Sequence, residues 1–170
     1  SFHLAGGTST LKLELGSWLI AGCGSVMPMQ LDEALAGMIF SAALERHPGM
    51  QLVLGESSIG WVPYLIERMD RQYQKHRAVP KDFDLKIKPS EIFARQVYAT
   101  FEEDDVGVQL IPQLGVDNVM WASDYPHPDS TFPYSKQAIE KTFTGVGFDV
   151  MRKATRDNAA KLYRVEGALT

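Results

Sequence analysis

Acidic and imidazole side chains recur in this sequence just where short apolar runs end. "SFHLA" carries His3, "LVLGE" ends on Glu56, "VYATFEEDD" ends on Glu102 to Asp105, and "NVMWASDYPHPDS" passes through Asp124 to His127. Carboxylates and imidazoles are the groups that move protons and hold divalent metals such as Zn²⁺ or Mn²⁺. Each also has an ordinary structural use. An Asp after a strand often forms a turn or caps a helix, and a lone His is commonly a satisfied structural residue. Asp124 is followed by "YPHP", where two prolines remove backbone donors and stiffen the path, so a simple helix cap does not account for it. Glu56 reads equally as a proton-transfer group and as a carboxylate that caps the next helix. His127 reads equally as a substrate contact and as a loop residue. The run Glu102, Glu103, Asp104 and Asp105 reads mostly as a solvated helix start favoured by the helix dipole. Cys23 has no base placed beside it and is not read as a nucleophile.

The elements that must position these groups follow from periodicity. Apolar residues recur at helical spacing in "MQLDEALAGMIFSAALERHPG" (Leu31, Leu35, Met38, Ile39, Ala42), and Pro48 and Gly49 end the pattern. "WVPYLIERMDRQYQKHR" predicts a second helix with Pro63 in its first turn. "AGCGS" and "AVPKDFDLKIKPSE" read as connections. "RQVYATFEED" reads as a strand, and "DDVGVQLIPQLG" as an imperfect helix interrupted by Gly107 and Pro112. "PYSKQAIEKTFTG" and "DVMRKATRDNAAKLYRV" predict two more helices, the last broken near Arg156 to Asn158 with Asp157 as its cap. Strands and helices therefore alternate through four units without a hairpin signal, which predicts parallel strands joined by crossover helices. In such sheets functional groups gather at the C-terminal strand ends. Four units match half of a (β/α)8 barrel, which needs about 250 residues.

Bulk properties set the wider frame. The 170 residues are 45% hydrophobic and 22% charged with a net charge of −4, the range of one globular domain. No Lys/Arg cluster interleaved with aromatics suggests a nucleic-acid surface. No apolar run approaches the ~18 residues of a membrane span. One cysteine gives no intrachain disulfide framework, and a cytoplasmic location is the expectation. Trp61, Tyr64, Tyr125 and Phe132 are candidate pocket aromatics, with ordinary packing as the alternative. "SFHLAGG" reads as a strand end met without a lead-in, as though the chain starts inside a larger architecture.

The segments "SFHLAGG", "ERHPGMQLVLGESSIGWVPYLIERMDR", "VYATFEEDD", "VMWASDYPHPDS" and "DNAAKLYRV" together resemble the second half of the amidohydrolase-related branch of the amidohydrolase superfamily. The resemblance covers nearly the whole chain. It implies an α/β fold, the C-terminal half of a distorted (β/α)8 TIM-type barrel holding strands five to eight, as a single partial domain over residues 1–170. It implies His3 and Asp124 as ligands of a divalent metal, Zn²⁺ first and Mn²⁺ second, and Asp124, Glu56 and His127 as the catalytic set. Glu56 stands where many members carry a histidine. The implied activity is hydrolysis of a small carboxylate, amide, ester or lactone by a metal-activated water, with non-oxidative decarboxylation as the alternative and a non-catalytic half-barrel module as a further one. The implied partners are a small-molecule substrate, the missing N-terminal half of the barrel or a partner chain, and a second copy in a homodimer. Neither nucleic acid nor membrane is expected.

Overall fold

The computed structural model describes residues 18–79, 84–165 and 167, and the backbone of residues 2 and 3. Its centre is a four-stranded sheet in the order β1 (Phe2–His3), β2 (Leu52–Gly55), β3 (Val97–Phe101) and β4 (Val119–Trp121). All neighbours run parallel, as the alternation of units predicts, with Leu54 opposite Ala99 and Ala99 opposite Val119. Side chains on a strand alternate between faces, and directly paired residues share one. Leu52 and Leu54, then Val97, Ala99 and Phe101, then Val119 are therefore buried on one face, against Leu35, Ile39, Ile92, Phe93, Val108 and Ile111. Val53, Tyr98 and Thr100 occupy the other face and are half-buried.

The connecting helices follow the sequence in part. α1 (Leu19–Val26) forms across "AGCGS", which reads as a loop because glycine is a poor helix former. The long predicted helix is divided into α2 (Asp32–Phe40) and α3 (Ala43–Arg46), because Ala42 adopts a left-handed backbone with φ 57°. α4 (Val62–His76) is the amphipathic helix that its spacing predicts, burying Val62, Met69 and Tyr73 on one side. α5 (Pro89–Gln96) occupies what reads as the end of a connection and the start of a strand. Pro89 sits in its first turn, where its missing N–H costs nothing.

The imperfect helix resolves into α6 (Asp105–Gln109) and α7 (Ile111–Leu114), followed at Gly115 (φ 95°) by a short 3₁₀ turn into β4. α8 (Ser135–Thr142) and α9 (Phe148–Arg152) complete the order, and α9 runs without a break through a π-helical turn, Lys153–Asp157, into α10 (Asn158–Tyr163). The expected break at Asp157 is thus corrected. Its backbone is helical and its side chain caps nothing; Asp157 instead accepts a hydrogen bond from Arg152 Nε at 2.9 Å.

Three buried amides fasten the N-terminal ends of the strands. Gln96 Nε2 donates to the carbonyls of His47 and Met50, which lead into β2. Asn118 Nδ2 donates to the carbonyls of Phe93, Ala94 and Val97. Asn158 Nδ2 donates to those of Val116 and Val119. No described helix is long and apolar enough to cross a membrane.

Candidate functional site at the strand exits

The three described strand exits open onto one cavity of about 540 Å³, a size typical of small-molecule sites. Glu56, Glu102 and Asp124 line it, one from each of β2, β3 and β4, and the end of α1 with the turn after it closes one side through Gly24, Met27 and Pro28. His127 and Asp129 line it from the loop after β4.

Each acid reaches the cavity by a different route. Glu102 is the first residue past β3 and continues the face of Tyr98 and Thr100 by simple alternation. Its main chain is held by Trp121, whose indole N–H donates to the Glu102 carbonyl at 3.0 Å. Glu56 would follow Leu52 and Leu54 onto the helix-covered face if β2 continued. A left-handed backbone at Glu56 (φ 51°), followed by another at Ser58 (φ 48°), ends the strand and turns the chain. Thr100 anchors that turn: its hydroxyl accepts from Glu56 N at 2.8 Å, and its carbonyl accepts from Ser57 Oγ at 3.1 Å.

Asp124 is also left-handed (φ 57°), and its side chain is only 15% exposed. Left-handed residues other than glycine are costly and cluster where the surrounding structure overdetermines them, as at functional sites. His127 Nδ1 lies 3.1 Å from Asp124 Oδ2, and the His127 amide donates to the Asp124 carbonyl at 2.8 Å, closing a tight turn. The rest of this loop is tied back to β4: the Ser123 carbonyl accepts from Ser130 Oγ at 2.6 Å and from Thr131 N at 3.1 Å.

The electrostatics single out Glu102, which sequence reasoning leaves among four adjacent acids. Burial, and after it the charges of Asp124, Asp129, Glu56 and Glu103, push its carboxyl up to about 7. The only signal for it in the sequence is position, since Glu102 directly follows the strand and shares the parity of Tyr98 and Thr100, a parity that Asp104 shares two residues later. The other three serve elsewhere. Glu103 pairs with Lys141 at 3.1 Å, although its edge also borders the cavity. Asp104 does start a helix, accepting from Gly107 N of α6, but it is not simply solvated, because it also accepts from Ile59 N and Gly60 N. Asp105 remains exposed in the first turn of α6.

Glu56, Asp124 and His127 are therefore brought together on one cavity, whereas the expected imidazole ligand of His3 lies outside the described side chains. Its backbone stands at the end of β1, opposite Gly55. Trp61, Tyr64, Tyr125 and Phe132 are absent from the cavity's described lining. Trp61 packs against the core instead, Tyr64 is exposed, and Tyr125 and Phe132 contact each other with ring centroids 4.6 Å apart.

Solved structures similar to this chain share its fold. A 5-carboxyvanillate decarboxylase from Sphingomonas paucimobilis is 30% identical, with a TM-score of 0.67 over 81% of this chain and 41% of that one. An amidohydrolase from Mycobacterium avium subsp. paratuberculosis K-10 is 27% identical, with a TM-score of 0.64 over 79% of this chain and 33% of that one. A 5-carboxyvanillate decarboxylase from Novosphingobium aromaticivorans DSM 12444, complexed with manganese and 4-hydroxy-3-methoxy-5-nitrobenzoic acid, is 20% identical, with a TM-score of 0.69 over 86% of this chain and 43% of that one. The chain thus spans less than half the length of these relatives. Comparison with curated protein sequences gives no match. The family model described as amidohydrolase matches residues 26–165, most of the sequence, and the chain belongs to the amidohydrolase family.

Proposed function

We propose that residues 1–170 form one partial domain, strands five to eight of a distorted (β/α)8 barrel, and that the complete barrel is a divalent-metal-dependent decarboxylase of a small aromatic or unsaturated carboxylic acid. The observation that carries this reading is the convergence of Glu56, Glu102 and Asp124 from three successive parallel strands on one cavity. The half-barrel reading is supported by the sheet order, in which β1 and β4 each have one described neighbour, and by the share of the relatives' length that the chain spans. The remaining strands would come from polypeptide outside these residues or from a partner chain, and a homodimer of complete barrels is the assembly to test.

A divalent cation fits the cavity in charge and donor chemistry. Its described lining holds carboxylates and one imidazole but no Lys or Arg, and after burial that excess negative charge adds to the upward push on Glu102. Among the described residues no three His, Cys, Asp or Glu side chains are grouped as a metal cage. The described part would therefore supply a portion of the ligands. Asp124 is the ligand we assign to the β4 exit and His3 to the β1 exit, with the others from the rest of the barrel. Mn²⁺ and Zn²⁺ both suit such a donor set, and the Novosphingobium decarboxylase holds manganese. The metal, when bound, would hold and neutralise the substrate carboxylate, which this acidic cavity otherwise repels.

The chain's own groups then handle the proton. A Glu102 carboxyl whose proton is held first by burial can donate to the carbon bearing the carboxylate. The carbon–carbon bond breaks, its electron pair returns to the substrate's unsaturated system, and carbon dioxide leaves. Glu56 and the Asp124–His127 pair would orient the substrate and restore the proton. A second reading, hydrolysis of a small amide, ester or lactone, is favoured by the amidohydrolase relative at 27% identity. There Asp124 and Glu56 would accept the proton of the attacking water.

The test uses the complete barrel protein, stripped with chelator and reloaded with Mn²⁺ or Zn²⁺. Aromatic carboxylic acids are assayed for carbon dioxide release, and amides and lactones for hydrolysis. Carbon dioxide release that falls about 100-fold in kcat in Glu102→Gln is the expected result. Hydrolysis alone would replace it with the second reading, and neither activity in the metal-loaded protein would overturn both.

A further inference from the structure

We propose that Asp104 is a positioning residue: its carboxylate locks the exit loop of β2, which carries Glu56, to the exit loop of β3, which carries Glu102. This rests on the reading of the cavity between those acids as the active site. An N-cap needs only one backbone donor from its own helix, and Asp104 has it, since Oδ1 accepts from Gly107 N at 2.7 Å. Its other oxygen, Oδ2, accepts from Ile59 N at 2.7 Å and Gly60 N at 2.8 Å, which belong to the other loop.

The surrounding backbone is shaped to seat this carboxylate. A β-carbon at Gly107 would stand 2.4 Å from Ile59 Cγ1 and 2.5 Å from Asp104 Oδ2, and one at Gly60 would stand 3.1 Å from Asp104 Oδ1. The short segment from Glu56 to Gly60 is thus fixed at both ends to the same neighbour: Thr100 holds Glu56 and Ser57, and Asp104 holds Ile59 and Gly60. Between the anchors lie the left-handed Glu56 and Ser58, conformations that persist only under such constraint. Released at the Asp104 end, the segment can relax, and Glu56 withdraws from the cavity it shares with Glu102.

The experiment compares Asp104→Asn with the parent protein in its complete form, by carboxylate NMR across a pH series and by amide hydrogen exchange. Glu102 is raised first by burial and then by Asp124, Asp129, Glu56 and Glu103, so a fall in its midpoint with its burial unchanged reports the loss of a charged neighbour. In Asp104→Asn the Glu102 midpoint should fall below the parent's by the share that Glu56 contributes while staying above its ordinary value, because burial, Asp124 and Asp129 remain, and exchange at residues 56–60 should accelerate roughly tenfold while β3 stays protected. Asp105→Asn, on the exposed turn one residue along, should change neither. A folded Asp104→Asn protein with an unchanged Glu102 midpoint and faster exchange in α6 alone would reduce Asp104 to a helix cap and overturn the proposal. Gly60→Ala, which crowds Oδ1 without removing the carboxylate, gives the same comparison if Asp104→Asn does not fold. A chelator-stripped parent protein whose Glu102 titrates near 4.5 would instead overturn the proton-donor role of Glu102, and with it the function proposed above.

Discussion

At the scale of single residues, Glu102 and Asp124 differ in how they meet the cavity, and their substitutions should separate accordingly. Glu102 holds its proton more tightly folded than unfolded, with a midpoint near 7 against an ordinary 4.5. Between those values the folded state binds more protons, so the carboxyl's contribution to stability is present at low pH and is lost as the pH rises through 7. Glu102→Gln removes that loss. The variant should melt at a higher temperature than the parent at pH 8 and show no advantage at pH 4, as read by calorimetry at both values. Asp124 presents a different case, because Asn tolerates a left-handed backbone as readily as Asp does. Asp124→Asn should therefore not lower the melting temperature, and should raise it at pH 8 by relieving the charge beside Glu102, while losing Mn²⁺ binding by about tenfold or more, as followed by electron paramagnetic resonance. A matching loss of stability would show that the carboxylate serves the fold instead.

Elements are held by different chemistry at their two ends, and this decides what the sequence discloses. The strand and helix alternation is legible because Leu52, Leu54, Val97, Ala99 and Val119 are buried in one continuous layer. α5 is hidden because its single helical turn beyond "KPSE" merges with a strand-like run, and only Pro89 marks its start. α1 is hidden by Gly22 and Gly24. Glu56 and Asp124 are legible as strand-end acids, but their left-handed backbones are not, since nothing in either residue type requires that conformation. Asn118 shows the same limit: it reads as the first residue of a strand, yet its amide closes the carbonyls of Phe93, Ala94 and Val97 between α5 and β3. Removing those bonds in Asn118→Ala should cost about 3 kcal/mol in urea unfolding. The opposite sign is expected at Arg164, a left-handed residue (φ 57°) that ends α10 while Val165 N bonds back to the Ala160 carbonyl. Arg164→Gly removes the β-carbon penalty and should stabilise the protein by about 1 kcal/mol in the same measurement.

Across the whole molecule, the function proposed above would have a divalent cation and a proton compete for the same negative field at the strand exits. Mn²⁺ added to chelator-treated complete protein should raise its melting temperature, and by more at pH 8 than at pH 5.5. A pH-independent response would place the metal away from Glu102 and Asp124. The other end of the sheet is closed differently: the neutral amides of Gln96, Asn118 and Asn158 donate there to main-chain carbonyls. That arrangement makes the exit loops exchangeable parts. Grafting the loop of residues 122–134 from a relative of different substrate preference should redirect specificity while leaving the neutral end, and the order in which the strands assemble, intact.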